Sequence, residues 1–280
     1  MIQGEWQGFE VERRDRGVVL VTFDNPEALN ASTVGMKRDL VELLAQAQLD
    51  DGVRVLVFTG KGRAFWAGDD LRQYGSVNSG KVMPAIAPGH HNPIGTYAAL
   101  RTISQAVNVA VRQLDKLTVA AVNGYAIQTG FSFALACDFR VAAESARMGS
   151  ATLRYGLLPD EGGQWLLVQH LGVARTMDLL MRKRIISAAE AAELGLVHEV
   201  VADEALVPRA IELATELADG PQVAMRLLKR SIHQAAEVGF TAALEDIATK
   251  TAISDHHPDA KAGAASFREG TTPRFNEWLG

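Results

Sequence analysis

Apolar residues along the chain form short β-branched runs that alternate with stretches of helical spacing. The run Val18–Phe23 ends in an Asp-Asn-Pro turn and predicts a buried strand. Ser32 or Thr33 can cap a helix that continues to about Asp50 with its apolar residues on one face. Residues 53–59 predict a second strand. Because a strand, a helix and a strand in this order favour a right-handed parallel crossover, the pattern predicts an α/β protein.

The pattern changes at about residue 202. Before this point, further short strands are predicted over residues 119–122, 139–142 and 196–201. After it, helical spacing predicts three helices over residues 204–218, 221–238 and 241–255. We therefore divide the chain into an α/β core, residues 1–201, and a C-terminal helical region, residues 202–280. No Gly/Ser-rich linker separates the two, so we expect the helices to pack on the core or on a neighbouring subunit.

The composition narrows the class of partner. The 280 residues carry 28 Lys and Arg against 33 Asp and Glu, so no basic excess is present to neutralise nucleic-acid phosphates. The single cysteine, Cys137, excludes an internal disulfide and a cysteine-rich zinc site. No stretch reaches the roughly 20 apolar residues of a membrane helix, and no signal peptide is visible. We expect a cytoplasmic protein without a nucleic-acid or membrane partner.

Two glycine-containing turns follow predicted strands and could bind an oxyanion. In residues 64–72, the small residues Ala67 and Gly68 would let a ligand approach the backbone closely. Residues 123–133 open a short apolar helix, whose first N–H groups have no partner within the helix. Two such turns facing each other could hold a thioester oxygen. Their spacing alone also fits ordinary strand-to-helix turns.

A third turn carries the candidate acid–base groups. Residues 157–163 place Asp160 and Glu161 before a Gly pair and an apolar helix. A carboxylate in such a position could move protons. Acidic residues at a helix start also serve simply as partners of the helix dipole. The irregular residues 75–95, with three prolines, are typical of a lid, a binding loop or a disordered insert, and we expect them to shape the acyl pocket.

Taken in order, five motifs resemble the enoyl-CoA hydratase/isomerase, or crotonase, superfamily. The resemblance spans roughly residues 9–275. Its motifs are Asn-Pro-Glu-Ala-Leu-Asn-Ala at 25–31, Ala-Gly-Asp-Asp-Leu at 67–71, Asn-Gly-Tyr-Ala at 123–126 with Gly130, Gly-Leu-Leu-Pro at 156–159 with Gly162 and Gly163, and Ser-Ala-Ala-Glu-Ala at 187–191 with Gly-Leu-Val at 195–197.

The resemblance implies a spiral of ββα turns with a C-terminal helical trimerisation region, assembled as a homotrimer or hexamer. It implies an acyl-CoA substrate, with coenzyme A as part of the thioester and no separate cofactor or metal. The backbone N–H groups of Asp69 and Thr129 would form the oxyanion hole, although Thr129 replaces the usual glycine and narrows the pocket. The implied coenzyme A contacts are Ala28, Ala67, Asp69, Leu71, Arg72 and Phe275.

Two departures from the family pattern bear on the reaction. Typical hydratases have glutamates where this chain has Ser132 and Thr152, and neither residue can act as a general base near neutral pH. Family isomerases that shift a double bond have a glutamate where Glu161 falls, and the epoxyphenylacetyl-CoA isomerase branch has an aspartate at Asp160. The sequence therefore favours an enoyl-CoA isomerase of fatty acid metabolism over a hydratase (lyase). The alternatives are a hydratase, hydrolase or ring-opening enzyme, and a catalytically silent acyl-CoA-binding protein.

Overall fold

The computed structural model describes residues 2–70 and 92–279. Within these ranges the strands are β1 Phe9–Arg13, β2 Val18–Phe23, β3 Val55–Gly60, β4 Ala64–Trp66, β5 Leu117–Val122, β6 Tyr125–Ile127, β7 Phe139–Ala143, β8 Arg147–Gly149, β9 Ile185–Ser187 and β10 Glu199–Val201. The helices are α1 Val34–Leu49, α2 Pro93–Ala99, α3 Gln105–Gln113, α4 Thr129–Ala136, α5 Gly163–Met181, α6 Ala188–Glu193, α7 Leu206–Asp219, α8 Gln222–Ala235, α9 Phe240–Asp255 and α10 Pro258–Glu269.

A six-stranded sheet forms the body, in the order β1-β2-β3-β5-β7-β10. β1 is antiparallel to β2 and the remaining pairs are parallel, which confirms the predicted crossover from β2 through α1 to β3. Parallel strands are usually buried on both faces, and their sequences are then continuously apolar. Here α7 packs on one face against β3, β5 and β7. The contact is made by a stripe of small residues, Ala210, Ala214 and Ala218, together with Leu206.

A smaller sheet, in the order β4-β6-β8-β9, consists of strands of three residues each. It lies beside an aromatic cluster in which Phe23, Trp66 and Phe133 contact one another with ring centroids 5.1–5.9 Å apart. The carboxyl ends of the parallel strands β4 and β6 point the same way. The two glycine-containing turns predicted as an oxyanion site follow these two strands directly, so the small sheet sets their relative position.

The C-terminal region contains one helix more than the sequence predicted. Three of its helices match the expectation, but α10 was missed, because its Ala- and Gly-rich sequence has few large apolar residues to reveal a helical period. The strand expected over 196–201 is shortened to β10, since the Leu196 N–H instead bonds the carbonyl of Ala191 at the end of α6. Pro221 is the N-cap of α8 rather than its first helical residue, and Cys137 caps the end of α4.

No helix among residues 2–70 and 92–279 has the length and apolar character needed to span a bilayer.

Candidate active site

The turn after β4 is joined to the residues that precede α1. Gly68 has φ +93°, a left-handed conformation that glycine adopts without the steric cost of a side chain. Ser32 forms an isolated parallel bridge with Asp69, in which the Ser32 N–H bonds the Gly68 carbonyl at 2.8 Å and the Asp70 N–H bonds the Ser32 carbonyl at 3.0 Å. The bridge does not use the Asp69 N–H, the first expected oxyanion donor.

The turn after β6 leads into α4. The first helical bond runs from the Ser132 N–H to the Gln128 carbonyl, so the Thr129 N–H lies in the first turn, where the helix itself supplies no acceptor. The start of α4 touches β4: a Cβ on Gly130 would lie 1.9 Å from the Trp66 carbonyl oxygen. The two turns also approach each other, since a Cβ on Gly68 would lie 3.5 Å from the Ile127 carbonyl oxygen.

Glu161 lies where these two turns meet. Its side chain is buried, and both carboxylate oxygens accept hydrogen bonds from the start of α4. The Thr129 hydroxyl donates to Oε1 at 2.6 Å, and the Gln128 amide donates to Oε2 at 2.7 Å. Burial, followed by the negative charge of Asp160, raises the pKa of the Glu161 carboxyl from 4.5 to about 7, although the Thr129 hydrogen bond opposes the shift. A carboxyl with such a pKa can both accept and return a proton near neutral pH.

Asp160 occupies different surroundings from its neighbour. It is half-buried and, with Glu161, lines a cavity of about 310 Å³ between α3 and the start of α5. The backbone of both acids is anchored to α3, because the Gln105 amide donates to the Asp160 carbonyl at 2.9 Å and the Asn108 amide donates to the Glu161 carbonyl at 2.8 Å. The structure thus brings Glu161, Thr129 and Asp69 together, with Asp160 next to Glu161 at the edge of the cavity.

Gln128 is a site residue that the sequence analysis missed. Its backbone has φ 51° and ψ −107°, a region that residues with a side chain rarely occupy. The side chain is nevertheless fully engaged: its carbonyl oxygen accepts from the Ser150 hydroxyl and, at 3.4 Å, from the Thr152 hydroxyl, while its amide donates to Glu161. In the sequence, Gln128 is a large polar residue between an apolar strand and an apolar helix, and this position could have indicated a functional side chain.

Lys37 is the second residue that was missed. It lies on the buried face of α1, next to Met36 and Leu40. A lysine among these apolar positions could have indicated a buried ion pair. Its side chain is 4% exposed, and its ammonium lies 2.7 Å from Oδ1 of Asp69. It also donates to the Ser104 hydroxyl at 3.0 Å. A buried lysine therefore neutralises the acid on the first oxyanion turn.

Ser132 and Thr152 stand where the family pattern led us to expect glutamates in a hydratase, and they have different surroundings. Ser132 is buried against the start of α5, where a Cβ on Gly163 would come within 2.3 Å of its hydroxyl oxygen. Thr152 reaches the network through Gln128 and lies 3.2 Å from the Ser150 hydroxyl. Neither side chain supplies a carboxylate.

Two of the residues expected to contact coenzyme A, Ala28 and Ala67, belong to turns that are joined to each other. Ala28 ends a short 3₁₀ turn, and the next residue, Leu29, accepts a hydrogen bond from the Ala67 N–H at 3.1 Å, so these two turns are joined. Phe275 lies in the C-terminal region, with its ring 3.5 Å from where a Cβ on Gly263 of α10 would be. Leu71, Arg72 and most of the expected binding loop lie outside the described residues. Within residues 2–70 and 92–279, no cluster of three or more His, Cys, Asp or Glu side chains could hold a metal ion.

Comparison with known proteins assigns the family. The profile of the enoyl-CoA hydratase/isomerase family matches residues 13–278. The chain belongs to this family. Among relatives of the enoyl-CoA hydratase/isomerase family, the 1,2-epoxyphenylacetyl-CoA isomerase of Escherichia coli (strain K12) is 34% identical over 270 residues, which cover 95% of this chain and 98% of that protein. A probable enoyl-CoA hydratase of Rhodobacter capsulatus is 32% identical, covering 92% of this chain and 94% of that protein.

Solved structures of the enoyl-CoA hydratase/isomerase family confirm the expected crotonase-like fold. The crystal structure of an enoyl-CoA hydratase from Bacillus anthracis matches with a TM-score of 0.87 and 31% identity, over 96% of this chain and 99% of that one. Both hydratase and isomerase names occur among the relatives, so family membership establishes an acyl-CoA-processing enzyme without choosing between the two reactions.

Proposed function

We propose that this protein is an isomerase that moves the double bond of an enoyl-CoA from the 3,4 to the 2,3 position. The observation that carries the proposal is Glu161, a buried carboxylate whose pKa lies at about 7 and which is held between the two turns expected to bind the thioester oxygen. One carboxylate of this kind is sufficient for a 1,3-proton shift, because the same group accepts a proton and then donates it.

The proposed reaction proceeds in two proton transfers. Glu161 removes a proton from C2, and the electron pair of that C–H bond moves into the thioester, so negative charge develops on the thioester oxygen. The N–H groups of Asp69 and Thr129 would stabilise this enolate without reorganising. The protonated Glu161 then donates to C4 while the double bond forms between C2 and C3. No atom is gained or lost, and we propose that no metal or redox cofactor is required.

The choice of isomerase over hydratase rests on the two polar positions around Glu161. Hydration needs one group to activate water and another to protonate the α-carbon. The resemblance places the hydratase glutamates at Ser132 and Thr152, whose hydroxyls cannot perform these tasks near neutral pH. The hydrogen bonds to the Glu161 carboxylate come instead from two uncharged donors, Gln128 and Thr129.

A second assignment uses Asp160 as the base. The observation in its favour is that Asp160 is more exposed than Glu161 and lines the adjoining cavity. The Escherichia coli relative, 34% identical, is a 1,2-epoxyphenylacetyl-CoA isomerase. From the sequence motif, we expect the aspartate of that branch to correspond to Asp160. If Asp160 is the base, we expect the substrate to be a ring-epoxide thioester rather than an aliphatic enoyl-CoA.

Two conservative variants distinguish these assignments. We expect Glu161→Gln to lower kcat by about 10²–10⁴-fold, because the amide keeps the size of the side chain but cannot accept the C2 proton. Asp160→Asn should change kcat much less and cost about 1 kcal/mol of stability if it only favours the helix dipole. The assay follows conjugated-thioester absorbance from a 3-enoyl-CoA, with EDTA present throughout.

The outcomes are mutually exclusive. Loss of activity in Asp160→Asn alone would move the base to Asp160. Near-wild-type kcat in both variants would end the mechanism. Acetyl-CoA binding by calorimetry and an unchanged oligomeric state serve as controls that each variant is folded.

A further inference from the structure

Lys37 is the charged residue of the site that the proposed reaction does not use. It comes from α1, whereas the groups expected to meet the substrate come from the turns after β4 and β6 and from the loop before α5. Its ammonium is buried and has two defined partners, Asp69 at 2.7 Å and the Ser104 hydroxyl at 3.0 Å. A buried lysine without a partner would be costly, so the ion pair with Asp69 fixes the position of both groups.

A single hydroxyl connects this ion pair to Glu161. The Thr129 hydroxyl donates to Glu161 Oε1 at 2.6 Å and also lies 3.4 Å from Oδ1 of Asp69. The same Asp69 oxygen accepts from the Ser32 hydroxyl at 2.7 Å. The two carboxylates therefore share one small side chain, and the charge of Asp69 makes Glu161 harder to ionise.

We propose that Lys37 is a positioning residue: its buried ammonium neutralises Asp69 on the oxyanion turn and thereby favours the ionised form of Glu161, the form that acts as the base. The proposal rests on the proposed function, because it requires Glu161 to be the base. Lys37 does not touch the substrate in this arrangement. It acts through Asp69 and the Thr129 hydroxyl.

The charges that face Glu161 come from three elements and act in opposite directions. Asp160, on its own loop, and Asp69, after β4, both raise the pKa of Glu161, whereas Lys37 on α1 lowers it. The remaining contacts, from Thr129 and Gln128 at the start of α4, are uncharged donors. Removing the Lys37 charge leaves two carboxylates against Glu161. Arg112 of α3 lines the same cavity as Asp160 and Glu161, and every variant below retains it.

The test measures the acid limb of the kcat/KM profile, which reports ionisation of the base in the free enzyme. We expect Lys37→Met to move this limb upward by about one pH unit, so that kcat/KM at pH 6 falls roughly tenfold and recovers by pH 9. Asp69→Asn should move the limb downward, because it removes a negative charge and leaves the lysine. The double variant Lys37→Met/Asp69→Asn should return the limb to near its wild-type position.

Two further variants guard against a purely structural effect. Lys37→Arg keeps the charge and should leave the limb near its original pH. Lys229→Met removes a comparable buried pair, since Lys229 is 5% exposed and lies 2.8 Å from Asp138, where it joins α8 to the residue before β7. It should lower the melting temperature without moving the acid limb.

The results separate this inference from the proposed function. If Glu161→Gln is inactive but Lys37→Met lowers kcat/KM equally at every pH, Lys37 is merely structural and the inference is overturned. The same holds if Lys37→Met and Asp69→Asn shift the limb in the same direction. If Glu161→Gln keeps its activity, the base itself is misassigned and the proposed function fails first.

Discussion

Glu161 holds its proton to a higher pH in the folded protein than a solvent-exposed glutamate does, and this predicts a distinctive pH dependence. Its pKa of about 7 is raised by burial and by Asp160. Because the base must be ionised to act, we expect kcat/KM to fall about tenfold for each pH unit below 7. Steady-state kinetics on a 3-enoyl-CoA between pH 5.5 and 9 measure this, and a profile flat down to pH 5.5 would contradict it.

The raised pKa of Glu161 also makes stability depend on pH, but stability falls as the pH rises whereas activity increases. Below about pH 4.5 the Glu161 contribution is complete, and it is lost as the pH rises through 7, because the folded protein binds this proton more tightly than the unfolded chain does. Glu161→Gln does not titrate, so its unfolding free energy relative to wild type should increase by about 2 kcal/mol from pH 5 to pH 8. Urea unfolding of the two proteins at both values provides the check.

Gln128 combines an unfavourable backbone conformation with a functional side chain. We expect Gln128→Ala and Gln128→Gly to lose similar amounts of kcat, about tenfold, since both remove the amide that holds Oε2 of Glu161. Gln128→Gly should be more stable than Gln128→Ala by about 1–3 kcal/mol, because only glycine relieves the positive φ. Equal stabilities would mean that no strain is stored there, and unchanged kcat would remove Gln128 from the site.

The sequence predicted the acids and the turns of the site but not the side chains that connect them. Glu161, Asp69 and Thr129 stand in recognisable local motifs, each followed or preceded by glycine. Lys37 and Gln128 act on residues far away in the chain, so their partners depend on how α1 and β6 pack. A local pattern can show that a polar residue is out of place, but it cannot name the partner.

Helix α5 begins directly against Ser132, and this limits how the site could be converted to a hydratase. We expect Ser132→Glu/Thr152→Glu to form little 3-hydroxyacyl-CoA from a 2-enoyl-CoA. A Cβ on Gly163 would lie only 2.3 Å from the Ser132 hydroxyl oxygen, so a longer side chain at residue 132 has little room. Catalytic carboxylates must also be held to within about half an ångström of their working position. Chromatography of the product measures hydration, and each single variant with its melting temperature is the control. Efficient hydration would refute the prediction.

Most of the longer strands were predictable, although the five-residue β1 was missed, and the strands of the smaller sheet were not. The strands β2, β3, β5 and β7 carry five or six residues each, enough for a buried apolar run. The strands of the smaller sheet have three residues, too few to show any period, and their pairing is decided by the larger sheet beside them. The part of the fold that positions the oxyanion turns is thus the part that the sequence pattern reveals least.

The C-terminal helices predict self-association of the whole molecule. Helix α9 has no buried residue, and Phe240 and Leu244 on it are 79% and 50% exposed. Such a surface favours burial against other copies of the chain, and we expect a trimer or hexamer. Sedimentation equilibrium at micromolar concentration measures the mass, and a single-chain mass would contradict the expectation.

A matched pair of variants tests which surface associates. Phe240→Glu/Leu244→Glu should shift the protein toward the monomer, because it places two charges on the exposed face of α9. Leu49→Glu alters a leucine that is 86% exposed at the end of α1, and it should leave the mass unchanged.

The alanine stripe of α7 has a consequence for synthesis on the ribosome. The strands of the six-stranded sheet lie within the first 201 residues, but α7 covers one of its faces with Leu206, Ala210, Ala214 and Ala218. A nascent chain halted before α7 would expose the valines and alanines of β3, β5 and β7 to solvent. The sheet therefore completes its burial only when residue 219 has left the exit tunnel, so chaperone protection is needed until late in translation.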